Sequence, residues 1–338
     1  MTIHNNYSLK QLNTFGIDVN AKQYAELFDE LELIEFLKSQ SLNNEPLLIL
    51  GGGSNILFTK DFEGTVVKYS AKGIKIIEET DTTVTIKTEA GEVWDKLVSF
   101  SVENNYYGIE NLTLIPGTVG AAPIQNIGAY GVEIKDVFEY LEGYFLNTSK
   151  KKVFKNSECM FDYRNSLFKK ELKDKFLITS VTLKLSKEKR FNLSYRALND
   201  HFGNVNHEQL TIKQINEAVK QIRTSKLPDF NKLGNAGSFF KNPEIKEDHF
   251  ERLHKKFPDI VFHKIARNYY KIPAGWLIEK CGFKGKRIGE VGTYDKQALV
   301  IVNYGNANGE EVKSFAEKIR EKVFTTFQIK LETEVNII

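Results

Sequence analysis

Cysteine is nearly absent from this chain: Cys159 and Cys281 are the only two in 338 residues, and they lie far apart. That excludes a disulfide framework. The six histidines are scattered without ligand spacing, so a Cys/His metal cluster is excluded as well. His249 and His254 are five apart, not the i,i+4 of a helical zinc motif. No apolar run approaches the roughly 18 residues of a membrane span. The opening residues Met1 to Tyr7 lack the charged-then-apolar plan of a secretory signal, so a cytoplasmic protein is expected. An excess of one charge is missing too. Lys+Arg number 47 against 44 Asp+Glu, a balance of +3 without a basic block, which argues against a nucleic-acid binder. A small positive balance can still draw in an anionic small molecule. Internal repeats and low-complexity tracts are lacking. With 41% hydrophobic and 27% charged residues, the chain has the composition of an ordered globular protein of two or three domains.

The periodicities that are present mix helix and strand. Leu27, Leu31, Ile34, Phe36 and Leu37 predict a helix over residues 25–37. Leu47 to Leu50, bounded by Pro46 and three glycines, reads as a buried strand. Further strands are expected at 66–67, 74–77 and 84–87, then a helix from Val93 to Val102. Val181 to Leu185 alternates strictly, which predicts a strand with one wet face. A polar stretch around 186–207 precedes an amphipathic helix through Ile212, Ile215, Val219 and Ile222, which ends near Pro228. Val312, Phe315, Ala316, Ile319 and Val323 mark another helix, and a strand is expected over 330–338. The regular alternation of a doubly wound sheet is missing, so the class is α+β.

Three glycine-bearing segments could carry chemistry. Gly51-Gly52-Gly53-Ser54-Asn55 follows the buried strand, where converging backbone N–H groups could hold a phosphate; a tight turn is the alternative. Ile115 to Gly131 is rich in glycine, alanine and proline and almost free of charge. That leaves room for a flat ligand, with Thr118, Gln125 and Asn126 for its polar edge, or for a close-packed backbone crossing. Gly234 to Pro243 sets Ser238 between Gly237 and two phenylalanines without completing the G-x-S-x-G elbow, so turn chemistry competes with a site. Arg164 and the pair Glu332 and Glu334 read, taken alone, as ordinary surface charges.

Taken in order, Asn13-Thr14-Phe15-Gly16, Gly51 to Asn55, Ile115 to Gly131, Tyr163 to Phe168, Gly234 to Pro243, Ala274 to Ile278, Gln297 to Leu299 and Leu331 to Val335 form a familiar series. Nearly end to end, the chain resembles the UDP-N-acetylenolpyruvoylglucosamine reductase (MurB) family. Tyr195 and the helix after it resemble the extra segment of the longer, type I form. The resemblance implies an FAD-binding two-domain unit of the vanillyl-alcohol-oxidase-like type, plus a C-terminal α+β substrate-binding domain. The divisions would be 1–70 and 71–226, completed by 328–338, and then 227–327.

It also implies NADPH-dependent reduction of an enolpyruvyl UDP-sugar in peptidoglycan precursor synthesis, through non-covalent FAD. Arg164, Ser238 and Glu334 take the catalytic positions. The FAD positions fall on Gly51, Gly52, Gly53, Ser54 and Asn55, on Pro116, Gly117, Thr118, Gly120 and Ala121, and on Gln125, Asn126, Gly128, Ala129 and Tyr130. Tyr195, Lys226, Asn242 and Gln297 match the nucleotide contacts. Small molecules would be the only partners, with no nucleic acid, no membrane and no metal, and the protein would be a monomer. Two other readings remain, a related FAD-linked oxidase and a nucleotide-binding protein without turnover.

Overall fold

The computed structural model describes residues 1–40, 45–203 and 205–338. Backbone contacts divide the chain into two compact units: Met1–Tyr7, Ala21–Gly52 and Glu63–Arg223 form the first, and Ser8–Asn20, Gly53–Phe62 and Thr224–Ile338 the second.

In the first unit, strands Thr2–Ser8, Asn20–Leu27, Phe62–Tyr69 and Leu47–Ile49 lie in that order in one sheet, with Leu47–Ile49 parallel to its neighbour. A second, antiparallel sheet runs Lys151–Lys155, Phe138–Phe145, Phe176–Ser186, Thr83–Glu89 and Ile74–Glu79. Apolar side chains of both sheets join Leu33, Phe36 and Leu37 of helix Glu30–Gln40 and Trp94, Leu97 and Val98 of helix Trp94–Glu103 in one core.

Two expectations change here. The helix foreseen over residues 25–37 begins only at Glu30, because Ala25 and Leu27 complete strand Asn20–Leu27. Asp29 makes the break: its Oδ1 accepts the Glu32 N–H at 2.8 Å, while Glu32 Oε2 accepts the Phe28 N–H at 2.8 Å, a reciprocal cap. Leu31, counted in the apolar stripe, is 77% exposed. Strand Phe176–Ser186 has no wet face; of its eleven residues only Lys184 is exposed. Small Ser180 and Thr182 share their face with Glu142 and Lys87, their register partners on either side, and that pair forms an ion pair over them. Long paired side chains beside short hydroxyls close the face that the alternation left open.

The polar stretch around 186–207 contains helix Arg196–Phe202, which no apolar periodicity marks in the sequence; Asn204 lies outside the described residues. Leu198 and Phe202 bury themselves with Leu210, Ile215, Ala218 and Val219. This small cluster ties the stretch to helix Ile212–Lys226.

The second unit carries an antiparallel sheet ordered Gly234–Ser238, Val300–Asn303, Val291–Thr293 and Arg287–Ile288. A three-stranded sheet follows the order Glu244–Lys246, Tyr269–Lys271, His263–Ala266. Helix Gly309–Phe327 turns Val312, Phe315, Ala316, Ile319 and Val323 inward. Its start is set by a capping box in which Asn308 Oδ1 accepts the Glu311 N–H at 2.9 Å and Glu311 Oε2 accepts the Asn308 N–H at 2.8 Å. Of the terminal stretch expected as strand, Asn336–Ile337 pairs, in parallel with Ile56–Leu57.

Candidate active site

The glycines of the first unit answer to backbone packing. A Cβ on Gly51 would stand 3.1 Å from Thr118 Oγ1 and 3.2 Å from Ala121 Cβ; on Gly52 it would stand 2.8 Å from the Gly117 Cα. The two glycine segments of this unit therefore lie backbone against backbone. Gly120 in turn approaches Ala90 so closely that a Cβ would come within 2.5 Å of the alanine's own. The loop is pinned by the Val119 N–H to the Glu92 carbonyl and the Gly120 N–H to the Ala90 carbonyl, both at 2.8 Å.

Beyond it, Asn126, Tyr130 and Arg164 all have left-handed φ, at 44°, 50° and 51°. Three such residues close together are a strain that a fold keeps where side chains must be aimed. Asn126 is fully buried and its side chain is committed: it donates to Glu133 Oε2 at 3.0 Å and to the Asp162 carbonyl at 3.1 Å, and accepts the Lys135 N–H at 3.2 Å. Arg164 sits at the tip of a tight turn closed by paired N–H···O bonds between Asp162 and Asn165, each 3.1 Å. Its Nη2 donates to the Gly128 carbonyl at 2.6 Å. Tyr130 and Tyr195 meet edge to face, ring centroids 5.1 Å apart. Tyr195 caps helix Arg196–Phe202 and is exposed. Burial pushes the Tyr130 phenol up, while the Arg223 charge pulls it back.

Arg223 went unnoticed in the sequence. Its Nη2 donates to the carbonyl of Leu114, another left-handed residue, at 3.2 Å. Its Nε, also buried, has no protein partner. The signal was available: it precedes Lys226 by one turn on the same amphipathic helix.

In the second unit, the candidate residues gather near Gly53. Its φ is 64°, and a Cβ there would fall 1.9 Å from the Leu12 carbonyl oxygen. The Thr14 N–H donates to the Gly53 carbonyl at 3.0 Å, and Thr14 Oγ1 donates to the Asn235 carbonyl at 2.6 Å. The Asn13 side chain organises that turn by bonding the Leu9 and Ile17 carbonyls and the Ile17 N–H. Strand Gly234–Ser238 shifts register between Asn235 and Ser238, with Gly237 left-handed at φ 67°. Such a bulge re-aims the residue that follows it. The Glu334 N–H donates to the carbonyl of Phe239, next to Ser238, at 2.8 Å, and Asn55 Nδ2 donates to the Glu334 carbonyl at 3.3 Å. These bonds bring Ser238, Glu334 and Asn55 into one neighbourhood, although nearly the whole chain separates Asn55 from Glu334. Asn242 and Gln297 converge on the start of helix Ala274–Lys280. Asn242 Oδ1 accepts the Ala274 N–H at 2.9 Å, and a Cβ on Gly275 would stand 2.9 Å from Gln297 Oε1. Lys226 is exposed at the end of its helix.

Residues 228–338 match the family model of the UDP-N-acetylenolpyruvoylglucosamine reductase C-terminal domain, and residues 21–151 that of an FAD binding domain. A UDP-N-acetylenolpyruvoylglucosamine reductase from Flavobacterium johnsoniae is 48% identical over 339 residues, covering 100% of both chains. That of Amoebophilus asiaticus is 46% identical, again over 100% of both. That of Pseudomonas aeruginosa is 45% identical over 98% of this chain and 97% of its own. The chain belongs to the UDP-N-acetylenolpyruvoylglucosamine reductase family. In fold it is similar to the crystallised member from Thermus caldophilus, with a TM-score of 0.69 over 99% of this chain and 98% of that one, at 22% identity. The α+β class, the FAD-binding part and the flavin-dependent oxidoreductase character expected from sequence are those of this family. Among the described residues, no helix is long and apolar enough to cross a membrane.

Proposed function

We infer that the chain reduces UDP-N-acetylenolpyruvoylglucosamine to UDP-N-acetylmuramate with NADPH, by way of bound FAD, in peptidoglycan precursor synthesis. The observation that carries this reading is full-length identity of 48% to a reductase of that name. FAD supplies two-electron transfer between NADPH and the enol ether. The residues fit such a group: Gly51, Gly52, Gly117 and Gly120 bring bare backbone together in the matched FAD-binding stretch, and Arg223 offers a buried N–H with no protein acceptor. Gly51 to Asn55, Pro116, Gly117, Thr118, Gly120, Ala121, Gln125, Asn126, Gly128, Ala129 and Tyr130 hold the cofactor on this reading. Asn126 contributes its backbone, since its side chain is already bonded.

Adding a hydride to the vinyl carbon drives negative charge into the substrate carboxylate. A preorganised cation there stabilises the transition state more than the ground state. Arg164 is that cation. Glu334, when protonated, donates a second hydrogen bond. Ser238 gives a proton to the carbon bearing the carboxylate, its hydroxyl acting as a positioned general acid. Tyr195, Lys226, Asn242 and Gln297 hold the nucleotide, with Lys226 on the pyrophosphate. The functional division follows 1–70 and 71–226 with 328–338 for FAD, and 227–327 for the substrate. The protein works as a cytoplasmic monomer.

A flavin absorbance spectrum of the purified protein is the first test. NADPH should bleach it anaerobically, and the enolpyruvyl nucleotide should restore the colour. Colour restored by oxygen alone would favour an oxidase, and no bleaching at all would leave a binding protein.

A further inference from the structure

Glu133 belongs to none of the groups assigned above, yet three contacts lead from it to Arg164. Its Oε2 accepts the Asn126 side-chain N–H at 3.0 Å, and the same Asn126 nitrogen donates to the carbonyl of Asp162 at 3.1 Å. Asp162 closes the turn that carries Arg164. Glu133 also pairs in register with Gly128, whose carbonyl takes the Arg164 guanidinium at 2.6 Å. A Cβ on Gly128 would stand 2.8 Å from Glu133 Cγ and 3.1 Å from Arg164 Nη1, so both side chains lie over the same glycine. Glu133 is itself held, through Lys135 Nζ at 2.7 Å and through its own N–H to Asp136 Oδ2 at 2.8 Å.

We propose that Glu133 is a positioning residue for Arg164. Its carboxylate fixes Asn126, Asn126 fixes the Asp162 end of the turn, and the Gly128–Glu133 pairing presents the carbonyl that orients the guanidinium. Arg164 is left-handed and sits at a turn tip, so its own backbone does not hold it to one direction without such support. The proposal rests on the reading of Arg164 as the cation facing the substrate carboxylate.

The test uses the flavin-loaded protein and follows two half-reactions by stopped flow, alongside a spectral titration with UDP-N-acetylmuramate that needs no turnover. Glu133→Ala should slow flavin reoxidation by the enolpyruvyl nucleotide about 10- to 100-fold, the loss expected from a displacement near 1 Å, and weaken product binding. Reduction by NADPH should stay within about threefold, because no carboxylate has then to be met. Glu133→Gln keeps an oxygen that accepts the Asn126 N–H and should recover most of the rate. Glu133→Asp, which withdraws the carboxylate by one methylene, should fall between them and serves if the alanine variant does not fold.

In an Arg164→Met background the Glu133 substitution should cost nothing more, since it acts through the arginine. Equal slowing of both half-reactions, a Gln variant as impaired as the Ala variant, or undiminished loss in the Arg164→Met background would each overturn the proposal. If Arg164→Met alone leaves reoxidation unchanged, the reading of Arg164 fails instead. That outcome is separate, because it does not depend on Glu133.

Discussion

Gly53→Ala tests the reason for a glycine more sharply than any substitution at the reacting groups. The new Cβ would sit 1.9 Å from the Leu12 carbonyl oxygen, 2.8 Å from its carbon and 2.9 Å from the Asn13 Cα. All three are backbone atoms, so no side chain can swing aside. The φ of 64° adds about 1–2 kcal/mol for any L residue with a Cβ. Moving the Leu12–Asn13 backbone then endangers the Thr14 N–H bond to Gly53 and the three bonds of the Asn13 side chain. At about 1 kcal/mol for each bond lost, with two or three broken, the total comes to about 3–5 kcal/mol.

Gly16 provides the control within the same turn. Its φ is 67°, yet a Cβ there would meet nothing within 4 Å. Gly16→Ala should therefore cost only the conformational part, about 1–2 kcal/mol. Urea unfolding followed by far-ultraviolet circular dichroism gives both numbers, compared at matched slopes. Equal costs at Gly16 and Gly53 would refute the reasoning, since only the clash distinguishes them.

Ser238→Ala should leave flavin reduction by NADPH nearly intact while slowing reoxidation by the enolpyruvyl nucleotide about 10²–10⁴-fold, and Ser238→Cys should restore part of that rate; equal slowing of both steps would remove the hydroxyl from the mechanism. Burial holds the Glu110 carboxyl above its usual range, despite the N–H that Gly108 donates to it at 2.7 Å. A folded pKa above the unfolded one gives stability that is full at low pH and falls as pH rises through the raised value. Glu110→Gln should thus raise the urea midpoint more at about pH 8 than at about pH 5, and a gain independent of pH would contradict it. The proposed function has the cofactor held without a covalent bond, so acid precipitation should leave the flavin colour in the supernatant; colour in the pellet would show a tether.

Much of the fold was legible because periodicity survives local reading. The strands around 66–67, 74–77 and 84–87 and the helices from Trp94, Ile212 and Gly309 lie where their patterns placed them. The misses share a cause, a partner distant in sequence. Strand Phe176–Ser186 loses its wet face to Lys87 and Glu142, which come from two other strands. Helix Arg196–Phe202 has few apolar residues of its own and is stabilised by burying Leu198 and Phe202 against the next helix. The parallel pairing of Ile56–Leu57 with Asn336–Ile337 joins opposite ends of the chain, and no window of local sequence contains both.

The candidate site was legible as a set of motifs but not as a reason for them. The run Gly51-Gly52-Gly53 reads naturally as a single phosphate cradle, yet its glycines meet different demands. Gly51 and Gly52 belong to the first unit and make room for Thr118, Ala121 and the Gly117 backbone. Gly53 belongs to the second and makes room for the turn at Leu12 and Asn13. The motif Asn13-Thr14-Phe15-Gly16, which suggested no chemistry, is the other half of that contact. Its Thr14 clamps Gly53 on one side and Asn235 on the other, and so reaches the strand that bears Ser238. Small residues that looked like space for a ligand are in part space for backbone. A substitution among them that abolishes flavin binding therefore identifies a ligand contact only if the variant's urea midpoint is unchanged.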